Sequence, residues 1–75
     1  MPRGIHNWRF IDVKRLLNDY DFKYSDAEGS HHFFKGNYLG TDRLVCVPFH
    51  GVKSISPKTM QSIITQSGIP RKLWK

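Results

Sequence analysis

Gly29-Ser30-His31-His32-Phe33-Phe34 is the stretch of this 75-residue chain whose reading decides the fold. A glycine takes turn angles without steric cost, and the residues that follow along an extended strand point alternately to its two faces. His31, Phe33 and Lys35 therefore share one face and His32 and Phe34 the other, with one face in the core and the other open to solvent. Histidine is the side chain that ordinarily exchanges a proton near neutral pH. A histidine delivered by a turn to the mouth of a strand is a candidate for acid–base chemistry; the plainer alternative is a pair of ordinary strand residues.

Upstream of this turn, Phe10, Val13, Leu16, Leu17 and Tyr20 recur at spacings of three and four. That is the period of one helix face, and it predicts a first helix between Trp8 and Asp21 with Asn7 as its N-cap. Phe22 to Asp26 alternates aromatic and polar residues, the pattern of a strand with one buried face, and runs into the Ala27-Glu28-Gly29 turn. Downstream, a second strand carries His31 to Lys35. The glycines and polar residues of Gly36 to Asp42 predict a long hairpin connection. Leu44 to Pro48 is the most β-prone run and is expected to be the central or best-buried strand, with Cys46 an inert core thiol. Phe49 to Ile55 is irregular and contains His50. Ser56-Pro57 reads as N-cap and first position of a second helix, Met60, Ile63, Ile64 and Ser67 form its inner stripe, and Gly68 and Pro70 stop it. Leu73 and Trp74 in the tail are expected to pack down.

The order α-β-β-β-α predicts an α+β fold of two layers, a three-stranded antiparallel sheet with both helices on one face. Double-stranded-RNA-binding domains use the same order. At this length residues 1–75 form one domain around a small core. One cysteine excludes an internal disulfide and points to a reducing compartment, with the cytoplasm as the expectation. No apolar run approaches the ~18 residues that would cross a bilayer, and the first residues lack an apolar signal core.

The net charge of +6 is unevenly spread. Residues 1–42 hold six basic and six acidic residues, whereas Arg43, Lys53, Lys58, Arg71, Lys72 and Lys75 follow with no acid among them. A one-signed basic half suits a phosphate backbone.

Gly29-Ser30-His31 opening a strand, Val47-Pro48-Phe49-His50 closing the next, and Thr59, Ile63 and Gln66-Ser67-Gly68-Ile69 in the last helix together resemble the HicA family of bacterial toxins. The likeness spans about residues 10 to 70. It implies a small ribonuclease with a fold like that of double-stranded-RNA-binding domains, cutting messenger RNA without a metal and silenced by a HicB-type antitoxin. The catalytic histidine of the family falls on His31. Two departures stand out: the carboxylates of Asp26 and Glu28 lie on the approach to the motif, where they oppose phosphate, and Phe49 precedes His50 in the valine-proline segment.

RNA cleaves itself when the ribose 2′-hydroxyl loses its proton and attacks the adjacent phosphorus, so an enzyme need supply only a placed acid or base and charge for the phosphate. His31 is the expected acid or base, and Gly29 and Ser30 form the turn that aims it. His50 is a candidate second titrating group. Lys53, Lys58 and the helix start at Pro57 to Thr59 are expected to contact phosphate. His31, His32, His50 and Cys46 match no metal-ligand spacing, and no cofactor is expected. Two alternatives to a nuclease are a non-catalytic RNA-binding module and an inactive relative kept for contact with an antitoxin-like partner.

Overall fold

A computed structural model describes residues 4–74. The elements run α1 (Phe10–Asp19), β1 (Lys23–Glu28), β2 (His31–Tyr38), β3 (Thr41–Pro48) and α2 (Pro57–Ser67), followed by one 3₁₀ turn at Arg71–Leu73. The strands form one antiparallel sheet in the order β1-β2-β3. Val13 and Leu17 of α1 and Met60, Ile63 and Ile64 of α2 share a core with Phe34, Val45 and Val47. Those three sheet residues lie on one face, so both helices cover that face, as the pattern predicts. The other face carries His31, Phe33 and Lys35 and has no helix over it.

α1 starts at Phe10 rather than near Trp8, and its N-cap is Arg9, not Asn7. The Arg9 N–H donates to Asp12 Oδ2 at 3.0 Å, while Asn7 takes a positive φ of 62° before the helix. At its other end Asp21 (φ 65°) bonds back to the Asn18 carbonyl and Phe22 to the Leu17 carbonyl. This 6→1, 5→2 pattern is a Schellman stop, and it drops the buried Phe22 ring into the core. α2 begins and ends where expected. Ser56 Oγ accepts the Thr59 N–H at 3.3 Å, Pro57 holds the first position, and Gly68 closes the helix at φ 74°.

Three expectations about the sheet are corrected. β2, not β3, is the central strand, although β3 buries the more side chains, Val45 and Val47 against Phe34 alone. β3 sends only Val45 and Val47 into the core, and the N–H of Cys46 is taken by the side-chain oxygen of Gln66 on α2 at 2.9 Å. Cys46 accordingly sits half-buried on the helix-free face, not in the core, although burial still pushes its thiol up. The long connection at 36–42 does not exist either: β2 continues to Tyr38 and a two-residue turn, Leu39-Gly40, leads into β3. Both turn residues have positive φ (52° and 85°), the signature of a type I′ hairpin. Asn37 braces it, accepting from the Gly40 N–H and donating to Asp42. Gly36 is a strand residue over which the Phe22 ring packs; a Cβ there would lie 2.6 Å from Phe22 Cγ.

Both ends of the described chain join the core. Trp8 and Trp74 are buried and meet edge to face with centroids 5.5 Å apart. The Trp8 carbonyl accepts the Ile55 N–H at 2.6 Å, which pins the segment that carries His50 and Lys53.

Candidate active site

β1 and β2 are joined by two residues, Gly29 and Ser30, with φ positive (60°) at Gly29 alone. That combination belongs to a type II′ turn, whose first central position suits glycine. His31 leaves this turn as the first residue of β2, exposed, on the helix-free face. It pairs with Glu28 on one side and Pro48 on the other. The Ser30 carbonyl accepts the N–H of Phe49 at 2.8 Å, so the Pro48-Phe49-His50 segment is tied to the turn that delivers His31. His31 and His50 are thereby brought to the same end of the sheet, and both are exposed. Beyond His50, its carbonyl accepts the Lys53 N–H at 3.3 Å across a turn with Gly51 at φ 65°. Lys53 is exposed on that turn, and the chain then enters α2, where Lys58 is exposed in the first turn.

Thr59 is half-buried, and its N–H and hydroxyl oxygen are both engaged by Ser56 Oγ. Pro57 has no N–H to offer. The start of α2 thus keeps few of the free donors expected for a phosphate cradle, and Lys58 is its clearest cation. Lys58 heads a groove of ≈ 460 Å³ lined by Gln61, Ser62, Thr65 and Gln66, all polar and none acidic.

The charges divide by face. Cross-strand pairing puts Lys23, Asp26, Glu28, Lys35 and Asp42 on the same face as His31, a mixed set rather than a basic one. The exposed residues of the acid-free half, Lys53, Lys58, Arg71 and Lys72, lie instead along the loop after β3, α2 and the 3₁₀ turn. Arg43 leaves that surface: it is half-buried, and its guanidinium lies against the Gly68 backbone, where it meets the negative end of the α2 dipole. Lys75 falls outside the described residues.

His32 points the other way and is half-buried among rings. Its centroid is 5.1 Å from Phe10, 5.6 Å from Tyr24 and 5.9 Å from Phe49, and its Nδ1 is 3.2 Å from the Tyr24 hydroxyl. Strand alternation anticipates the inward His32, but not the cluster. Phe49, the residue set between Pro48 and His50, was the signal in the sequence that could have revealed it. Among the described residues no three His, Cys, Asp or Glu side chains come together as a metal-holding group, and no helix is long and apolar enough to cross a membrane.

This constellation coincides with a match to known proteins. A family model for the HicA toxin of bacterial toxin–antitoxin systems matches residues 11–69, a span that runs from the second residue of α1 to just past the Gly68 stop and contains Gly29, Ser30, His31, His50, Lys53, Lys58 and Thr59. No curated protein sequence matches the chain. With the greater part of its length matched, the chain belongs to the HicA toxin family, a membership that carries a toxin role and implies an antitoxin partner.

Proposed function

We propose that this toxin acts as an endoribonuclease on messenger RNA in the cytoplasm, with His31 as general acid or base. The observation that carries this reading is the setting of His31: exposed, first in its strand, and held from both sides by the Gly29 turn and the Ser30–Phe49 bond. A catalytic imidazole has to be accessible to substrate and fixed in direction. In the proposed reaction the ribose 2′-hydroxyl gives up its proton and attacks the adjacent phosphorus while the 5′-oxygen leaves and is protonated. The products are a 2′,3′-cyclic phosphate and a free 5′-hydroxyl, and no metal enters. His31 and His50, at one end of the sheet, are candidates for the two proton transfers. Lys53 and Lys58 supply positive charge to the backbone.

Replacing His31 by Ala is the test. Cleavage in the presence of EDTA should fall by about 10²- to 10⁴-fold, the usual cost of losing a general acid–base group. Stability should shift within ~0.5 kcal/mol because the side chain is exposed. Wild-type protein that cuts no RNA under these conditions would leave the non-catalytic RNA-binding module. That second reading has an observation of its own in its favour: Glu28 stands directly opposite His31, where its carboxylate opposes a phosphate at the histidine, while the exposed cations Lys58, Arg71 and Lys72 lie along α2 and its flank.

The antitoxin is proposed to be of the HicB type and to act by covering His31. An acidic partner would suit the basic half. Co-expression with the adjacent small gene should relieve growth arrest, and a toxin that stays lethal beside it would refute this pairing.

A further inference from the structure

We propose that Tyr24 and Phe49 form a stacking subsite for unpaired RNA bases beside the His31 turn, an inference that rests on the RNA-directed reading above. Both rings are held yet half open: Tyr24 is 51% exposed and Phe49 47%. They flank the His32 ring, Tyr24 from the β1 side and Phe49 from the β3 side, each within 6 Å of it by centroid. Tyr24 is fixed through its hydroxyl to His32 and against Phe34 at 78°, and Phe49 through its N–H to Ser30 and against Phe10 at 77°. None of these contacts is a parallel stack, so among these partners no ring lies flat on either aromatic face. Rings fixed in orientation give up little conformational freedom on binding a flat partner.

The chemistry around the two rings selects the occupant. Asp26 and Glu28 point to the opposite face of the sheet, so β1 sets no carboxylate beside Tyr24. Phe49 lies within the acid-free half, and Lys53 stands on the turn that follows it. A neutral π surface next to positive charge suits a base attached to a phosphate chain. The half-buried imidazole between the rings breaks the patch into two small platforms, a form suited to single bases rather than to a continuous apolar protein face. Bases in a duplex are already stacked on both sides, so the subsite prefers single strands, although the order of elements is that of a domain that reads duplex shape.

The test is the binding of a short 2′-O-methyl oligoadenylate, followed by fluorescence anisotropy, beside an oligomer of equal length and charge whose bases are absent. The 2′-O-methyl group removes the attacking hydroxyl, so binding is read without cleavage and failure of the nuclease assignment does not affect the result. Phe49→Leu keeps an apolar side chain against Phe10. It should weaken binding of the base-bearing oligomer about tenfold, the scale of one lost aromatic–base stack, and leave the abasic oligomer unaffected. Tyr24→Leu, on an exposed edge strand, should do the same and serves if Phe49→Leu melts early. Tyr24→Phe keeps the ring and should recover most of the binding that Tyr24→Leu loses. Wild-type protein that binds neither oligomer would overturn the subsite together with any RNA-directed reading. Equal binding of both oligomers, or equal losses on both, would overturn the subsite alone. Variants that bind RNA normally but escape inhibition by the antitoxin would assign the rings to a protein partner and overturn it too.

Discussion

Replacing His32 by Ala would strip Phe10, Tyr24 and Phe49 of a ring that each of them touches and would leave the Tyr24 hydroxyl without its partner. We expect a loss of about 1–2 kcal/mol, from the edge contacts of a half-buried ring and one hydrogen bond. A thermal melt checks this, and the same melt on His31→Ala should barely move. The contrast follows from one property of the extended chain, that adjacent residues face opposite ways. For this reason the opposite directions of the two histidines were legible in the sequence as soon as the strand was. The ring partners of His32 were not, because Phe10, Tyr24 and Phe49 come from three separate segments and only the folded sheet brings them together. Cys46 shows the same limit in reverse. In a run of apolar residues it reads as core, yet the pleat turns it to the helix-free face between Val45 and Val47. Burial pushes its pKa up and so lowers its thiolate fraction, and iodoacetamide should modify it more slowly than it modifies free cysteine, a difference that mass spectrometry of the intact protein reads directly.

The boundaries of α2 were readable because caps are local chemistry: Ser56, Pro57 and Gly68 each satisfy or forgo specific backbone bonds within a turn or so of themselves. The β2–β3 hairpin was not, and the reason is tertiary. Gly36, Asn37 and Gly40 look like loop residues by type, but Gly36 is glycine because the Phe22 ring occupies the place of its side chain. Gly36→Ala should therefore cost about 1–3 kcal/mol through overpacking. For a domain of this size each kcal/mol lowers Tm by about 4–8 °C, so the loss is easily seen by melting. An unchanged Tm would mean that Phe22 can withdraw freely. The turn itself offers the opposite change. Leu39 is held at φ 52°, a region that leucine disfavours, and it is exposed, with nothing to gain from its apolar side chain. Leu39→Asn supplies the residue that type I′ turns prefer and should raise stability by about 0.5–1 kcal/mol.

At the scale of the molecule, a sheet and one layer of helices, 19 Å through the thinnest axis, leave two unlike surfaces. The helix-free face has His31 and charges of both signs, while the exposed basic residues follow α2 and its flanks. Composition revealed the basic half but not which members reach solvent, since side-chain direction depends on where each element packs. Arg43 and Lys58 separate these ideas. Binding to a phosphate chain releases counterions, so the logarithm of affinity falls with the logarithm of salt by about 0.7 per phosphate contact on a single strand. Lys58→Glu should weaken RNA binding to all sequences alike and flatten that slope by about one contact. Arg43→Gln removes an equal charge from the sequence, but from a side chain folded over Gly68 rather than one reaching solvent. It should leave the salt slope as in wild type and instead lower Tm, because α2 loses the cation at its C-terminal end. Salt titrations of the two variants, each with its melt, decide the matter. A slope changed equally by both would mean that overall charge governs docking, whereas loss confined to Lys58→Glu places the RNA along α2.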